Sequence, residues 1–234
     1  MFNYLLNPWI SGMVMLIVIF YIQGKKYFGG TTCRIRKDMS EKIVIITGAN
    51  RGMGKETAKE LALMGARIIF ACRSEERTMK VIRELKKETL NERLEFMYLD
   101  LADFNSIKKF VMHFKPKYQK LDILINNAAC YRSEYYRTND GFETNFQVNL
   151  LGPFLLTNLL LDLLMNTPYS KVINVTSSVH ANIAPEQFYL DEINEIQTFN
   201  GSSLNGQYAK TKLGMIMFTK ELGRRMNQLG IKIS

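Results

Sequence analysis

The sequence predicts an α/β fold, a doubly wound parallel sheet with helices on both faces. Three observations predict it. Short apolar runs alternate with longer helix-like stretches along residues 41–234. The apolar runs show no regular polar alternation, as strands buried on both faces require. A glycine-rich turn joins the first apolar run to the first helical stretch, and the later stretches supply the crossovers that parallel strands need.

Ahead of that domain, no Asp, Glu, Lys, Arg or His occurs at residues 2–24, and residues 9–22 are almost wholly apolar. Asn7 is placed to cap a helix with Pro8 at its first position. Residues 8–24 would then extend ~25 Å at ~1.5 Å per residue, at the short end for a bilayer. Trp9 and Tyr21 stand near the two ends, where aromatic rings favour an interface. The expectation is a membrane anchor at residues 1–24 and a basic linker at residues 25–40. A cleaved signal peptide would carry its positive charge before the apolar run, whereas Lys25, Lys26, Arg34, Arg36 and Lys37 follow it. That charge places the following domain in the cytosol. An interfacial helix is the competing form.

Strands are predicted at residues 43–46, 67–71, 94–99, 123–126 and 171–175, and helices at 55–64, 75–90, 106–118, 141–165 and 207–229. The first loop reads Thr47-Gly48-Ala49-Asn50-Arg51-Gly52-Met53-Gly54. Its glycines permit a tight turn and close backbone approach, and the helix that follows offers amides and partial positive charge to a pyrophosphate. Any strand-to-helix loop can hold a glycine turn, so context carries the argument. Near the end, Tyr208-Ala-Lys-Thr-Lys212 puts a phenol and an ammonium one helical turn apart. A nearby cation favours a phenolate, which otherwise forms near pH ~10. Taken singly such a pair is an ordinary solvated helix face.

Several motifs in one order remove that ambiguity. Besides the glycine loop and the Tyr208 to Lys212 run, they are Phe70-Ala-Cys-Arg73, Leu99-Asp100-Leu101, Asn126-Asn-Ala-Ala129, Asp140-Gly-Phe-Glu143, Val148-Asn149-Leu-Leu-Gly-Pro-Phe154 and Asn174-Val-Thr-Ser-Ser178. The chain resembles the short-chain dehydrogenase/reductases from about residue 42 to 234, and within them the membrane-attached retinol dehydrogenase-like branch. The resemblance implies a Rossmann-type fold and hydride exchange between NADP(H) and a small lipophilic alcohol or carbonyl. Tyr208 is then the general acid/base, Lys212 lowers its pKa and holds the nicotinamide ribose, Ser178 hydrogen-bonds the substrate oxygen, and Asn149 completes a proton relay. Gly48, Asn50, Arg51, Gly52, Met53 and Gly54 would cradle the cofactor. Asp100 and Leu101 would meet the adenine, and Asn126 and Ala128 would border the cofactor at a strand end. Arg73 stands where an NAD enzyme commonly has an acid, and with Arg51 it favours the 2′-phosphate of NADP. The resemblance also implies an endoplasmic reticulum membrane, and a homodimer through the helices at 141–165 and 207–229.

Two departures qualify the match. Ala129 replaces a glycine, and its methyl would crowd the backbone if φ were positive. The chain stops at Ile231-Lys-Ile-Ser234, which reads as the start of a sixth strand, so the family's last elements are missing from this sequence. A truncated, catalytically silent protein that binds nucleotide or partners is therefore the alternative to an enzyme. Residues 179–207 form a long segment whose apolar side chains are placed to border a hydrophobic substrate entrance or to anchor a surface loop.

Composition narrows the rest. With 234 residues and 47% apolar content the chain suits one domain plus an appendage. The formal charge of +9 is dispersed among glutamates, as in Arg83-Glu-Leu-Lys-Lys-Glu88, so nucleic acid is not the expected partner. Cys33, Cys72 and Cys130 make neither a disulfide framework nor a metal spacing. With His113 and His180 as the only histidines and no nucleophile elbow, a serine hydrolase is excluded.

Overall fold

A computed structural model describes residues 8–28, 36–184, 186, 188–202 and 206–231. Asn7, Cys33, most of the predicted linker and the start of a sixth strand at 232–234 lie outside the described residues. Two units are distinguished, residues 1–37 and 38–234.

In the first unit, helix α1 spans Pro8–Phe28. Its apolar side chains from Met13 to Tyr21 are 40–84% exposed, all round the helix. Among the described residues no helix is long and apolar enough to cross a membrane.

The second unit is a five-stranded parallel sheet in the order β3-β2-β1-β4-β5. The strands are β1 (Ile43–Thr47), β2 (Arg67–Cys72), β3 (Leu94–Tyr98), β4 (Ile123–Asn126) and β5 (Lys171–Asn174). Each lies within a residue or two of its predicted bounds. The sheet's two faces divide the apolar runs residue by residue, because successive side chains point to opposite sides. Val44, Ile46, Ile68 and Phe70 pack under α2 (Gly52–Leu63) and α3 (Glu75–Thr89). Ile45, Ile69, Leu124 and Val172 pack under α4 (Phe104–Lys117), α6 (Gly152–Leu159) and α8 (Gln207–Gln228). Asp122 bolts the sheet at its amino edge: its carboxylate accepts from Lys42 Nζ at 2.8 Å and from the Ile43 amide at 3.0 Å.

One predicted helix is not continuous. The stretch expected at 141–165 divides into α5 (Thr144–Phe146), a π-helical turn at Gln147–Leu151, α6, and α7 (Leu161–Asn166). Periodicity misses this break because the π turn inserts its extra residue without interrupting the apolar run. Gly152, just after the turn, lets the helix lie on the β3–α4 loop: a Cβ there would stand 2.8 Å from the Leu101 carbonyl oxygen.

Candidate active site

All five strands point their carboxyl ends at one edge, and the loops leaving that edge line a groove of about 580 Å³. Gly48, Asn50, Arg51, Gly52, Met53, Gly54, Arg73, Asp100, Leu101 and Ala128 all border it. The loop is tight because Gly48 and Gly52 take φ of 67° and 55°, values that side chains resist. Gly54, in the first turn of α2, has no room for a side chain: an added Cβ would stand 2.5 Å from Asn127 Nδ2 and 2.8 Å from the Gly48 oxygen. This packing leaves the first amides of α2 facing the groove, the arrangement that suits a phosphate.

Arg51, Arg73, Arg77 and Arg132 line the groove, together with Ser74. Arg73 is 73% exposed and lies 3.7 Å from Asp100. Asp100 is itself fixed, its Oδ1 accepting from the Ala102 amide at 2.9 Å. Arg77 was not singled out from sequence, although its place in the first turn of α3 aims it at the same loop.

Asn126 does not border the groove. Its Nδ2 donates to Thr157 Oγ1 at 3.1 Å and Asn174 Oδ1 at 2.8 Å, joining β4 to β5 and α6 beneath the surface. The next residue takes the groove position, since side chains alternate along a strand. Asn127 donates from Nδ2 to the Thr47 oxygen at 2.9 Å, tying β4 to the glycine loop. Ala129 is not among the residues with positive φ, so its methyl meets no backbone penalty.

Asn149, Tyr208 and Lys212 do not themselves line the groove; they cluster around Cys130, which does. Tyr208 and Lys212 stand one turn apart on α8, with Lys212 Nζ 5.6 Å from the centroid of the phenol ring. The ammonium is buried and donates to the Val175 oxygen at 3.0 Å; burial lowers its pKa. Burial also raises the Tyr208 phenol, and a hydrogen bond with Ser177 pulls only part of the way back. The phenol is thus held above its ordinary value in this structure, opposite to the lowering expected from Lys212.

Ser177, not Ser178, is the serine that meets Tyr208. The chain runs extended past the end of β5, and Ser177 caps the 3₁₀ turn Ser178–Asn182, its Oγ accepting from Val179 N. Ser178 is the first residue inside that turn and is exposed. The His180 ring nitrogen Nδ1 contacts the Ser177 oxygen at 2.6 Å, so this histidine steadies the turn.

Asn149 sits in the π turn, buried. Its Oδ1 accepts from the Cys130 amide and its Nδ2 donates to the Cys130 oxygen, both at 2.8 Å, with a further bond from Nδ2 to Thr211 Oγ1 at 3.3 Å. It latches the loop after β4 to α8. Burial, with the Glu143 carboxylate nearby, pushes the Cys130 thiol up to about 11, which makes it a neutral wall residue.

The short chain dehydrogenase family model matches residues 42–188. Retinol dehydrogenase 13 of Homo sapiens is 40% identical over 211 residues, 90% of this chain and 62% of its own length. Retinol dehydrogenase 12 of Homo sapiens is 40% identical over 88% of this chain and 64% of its own length. The chain therefore spans a little under two thirds of these relatives. Among solved structures, an uncharacterised protein of Mycobacterium paratuberculosis superposes with a TM-score of 0.74 at 34% identity, over 87% of this chain and 69% of that one. A short chain dehydrogenase of Escherichia coli CFT073 complexed with NADPH gives 0.65 at 25%, over 83% and 75%. With its sheet order, its glycine turn and the model match in agreement, this chain belongs to the short chain dehydrogenase family.

Proposed function

We propose that the chain is an NADP(H)-preferring oxidoreductase that interconverts a lipophilic alcohol and its aldehyde or ketone. The observation that carries this reading is the meeting of Tyr208, Lys212 and Ser177 close to Cys130, a lining residue of a groove that also carries Arg51, Arg73 and Arg77. The cradle fits a dinucleotide, because the closely packed Gly54 leaves the α2 amides open. When bound, the nicotinamide supplies or accepts the hydride. In reduction Tyr208 gives its proton to the carbonyl oxygen, and the raised phenol pKa keeps that proton in place near neutrality. Ser177 takes the role first assigned to Ser178, donating to the same oxygen as charge develops. Lys212, buried one turn away, stabilises the phenolate left behind. Arg51, Arg73 and Arg77 favour a 2′-phosphate. The names of the relatives, together with the solved NADPH complex, support a lipophilic substrate and a nicotinamide cofactor. Residues 1–24 would hold the domain at an endoplasmic reticulum membrane from its cytosolic side, and a homodimer through the outer faces of α6 and α8 fits the family.

The test is NADPH absorbance with the full chain and all-trans-retinal, beside Tyr208→Phe. The expected result is wild-type oxidation of NADPH that falls by ~10²–10⁴-fold in the variant, with NADPH binding unchanged. Binding of NADPH without turnover on a broad carbonyl panel would instead establish the silent, nucleotide-binding alternative.

A further inference from the structure

Two loops at the carboxyl edge take no part in the chemistry above, and four contacts join them. Tyr131 Oη donates to the Gly201 oxygen at 2.9 Å. Gly201 lies so close to Ser133 that a Cβ on it would overlap the Ser133 carbonyl. The Tyr135 ring meets Phe199 edge-on at 5.5 Å between centroids, and its Oη donates to the Asn194 oxygen at 2.9 Å. The second loop is also fixed at its start. Ile193 is fully buried and its carbonyl accepts from Gln207 Nε2, one residue before Tyr208. Asn194 Oδ1 accepts from the Glu143 amide at 2.8 Å.

Stabilising packing accounts for Tyr135 and Phe199. Tyr131 differs. Its ring meets Tyr208 edge-on at 5.9 Å while the residue remains 49% exposed. A core aromatic would be covered, and a surface aromatic would not contact the phenol at the centre of the site. A half-open ring between the phenol and a tied loop has the position of a wall.

We propose that Tyr131 is a specificity-determining residue: its ring is the surface beside Tyr208 on which the apolar body of a carbonyl or alcohol substrate rests, and its hydroxyl holds residues 194–201 as a strap along that surface. This rests on the oxidoreductase reading. The width of the slot beside the ring, bounded by Tyr208 and the strap, then selects among lipophilic substrates.

The experiment uses the full chain with NADPH, comparing wild type, Tyr131→Phe and Tyr131→Ala on a slender unbranched aldehyde and a bulky ring-bearing one. Tyr131→Phe keeps the ring and loses the tether, so KM rises about fivefold for both substrates at unchanged kcat, the factor for one neutral hydrogen bond of ~1 kcal/mol. Tyr131→Ala opens the slot and shifts the kcat/KM ratio toward the bulky substrate by about tenfold, on the scale of a lost pocket contact. A purely structural role would lower both substrates in proportion. Amide hydrogen exchange at residues 194–201 is read alongside and needs no turnover; it should quicken about fivefold in Tyr131→Phe. An active wild type with an unchanged substrate ratio in Tyr131→Ala overturns the specificity role alone, and unchanged exchange overturns the strap. A wild type that reduces neither aldehyde while binding NADPH overturns the oxidoreductase reading itself, and exchange still decides the strap.

Discussion

Ser177 and Ser178 are chemically identical neighbours, and only backbone geometry separates them. Ser177 retains the extended conformation of the chain leaving β5, while Ser178 has entered the 3₁₀ turn. Ser177→Ala should therefore lower kcat by ~10²-fold, the cost of losing a donor to a developing oxyanion, and Ser178→Ala should stay within about twofold. Equal losses in steady-state kinetics would show that the turn rearranges around substrate. Sequence could not separate the pair, because a serine doublet after a strand leaves the exact point of turning open. The Asn126–Asn127 doublet behaves in the same way. Its first member goes beneath the sheet's end and its second borders the groove, so a one-residue difference moves the side chain to the other face. Tyr208 and Lys212 were readable because both belong to one uninterrupted helix, whose pitch fixes their spacing. Tyr131 was not readable, since its partners Gly201 and Tyr208 lie 70 and 77 residues away and nothing local announces them.

Elements with their own punctuation were legible. The strands are marked by apolar runs between polar turns, and α2 by the glycines before it. The π turn was not, because its signature is a shift of register and leaves composition unchanged. Helix α1 presents a different problem: its apolar surface is exposed on all sides, and water is a poor solvent for such a face. The membrane contact proposed above for this segment can be tested directly. The full chain should sediment with phosphatidylcholine vesicles, and a chain lacking residues 1–24 should remain in the supernatant at equal concentration. An alkaline carbonate wash that releases the full chain would favour a helix lying in the interface over one inserted through the bilayer. Equal partitioning of the two chains would remove α1 from any anchoring role.

For the molecule as a whole, stability at low pH should depend on Asp122. Burial favours its neutral form, but Lys42, the Ile43 amide and Lys120 outweigh that and hold the carboxyl below its ordinary value. A folded pKa below the unfolded one gives stability that is complete above about pH 4 and is lost as pH falls through the lowered value. Asp122→Asn should cost about 2 kcal/mol near neutrality by leaving Lys42 without its charged partner. The gap from wild type should close on acidification, as followed by urea unfolding at several pH values. A constant gap would mean that the amide disturbs packing and that charge is not the cause. This bolt is at the amino edge of the sheet, opposite the edge that carries the groove, so the variant should retain the NADPH binding proposed above.

The contact beneath Gly152 links two segments, the β3–α4 loop and the π turn before α6, that sequence treats as unrelated. With only a hydrogen between the helix and the Leu101 carbonyl, the loop carrying Asp100 and Leu101 and the turn carrying Asn149 are spaced backbone to backbone. That spacing works as a ruler. On the function proposed above, a nucleotide reaching from Leu101 toward Tyr208 would meet that main-chain spacing whatever side chains line the route. On that reading, substitutions among Arg51, Arg73 and Arg77 should alter which phosphate is preferred, whereas Gly152→Ala should alter the spacing itself.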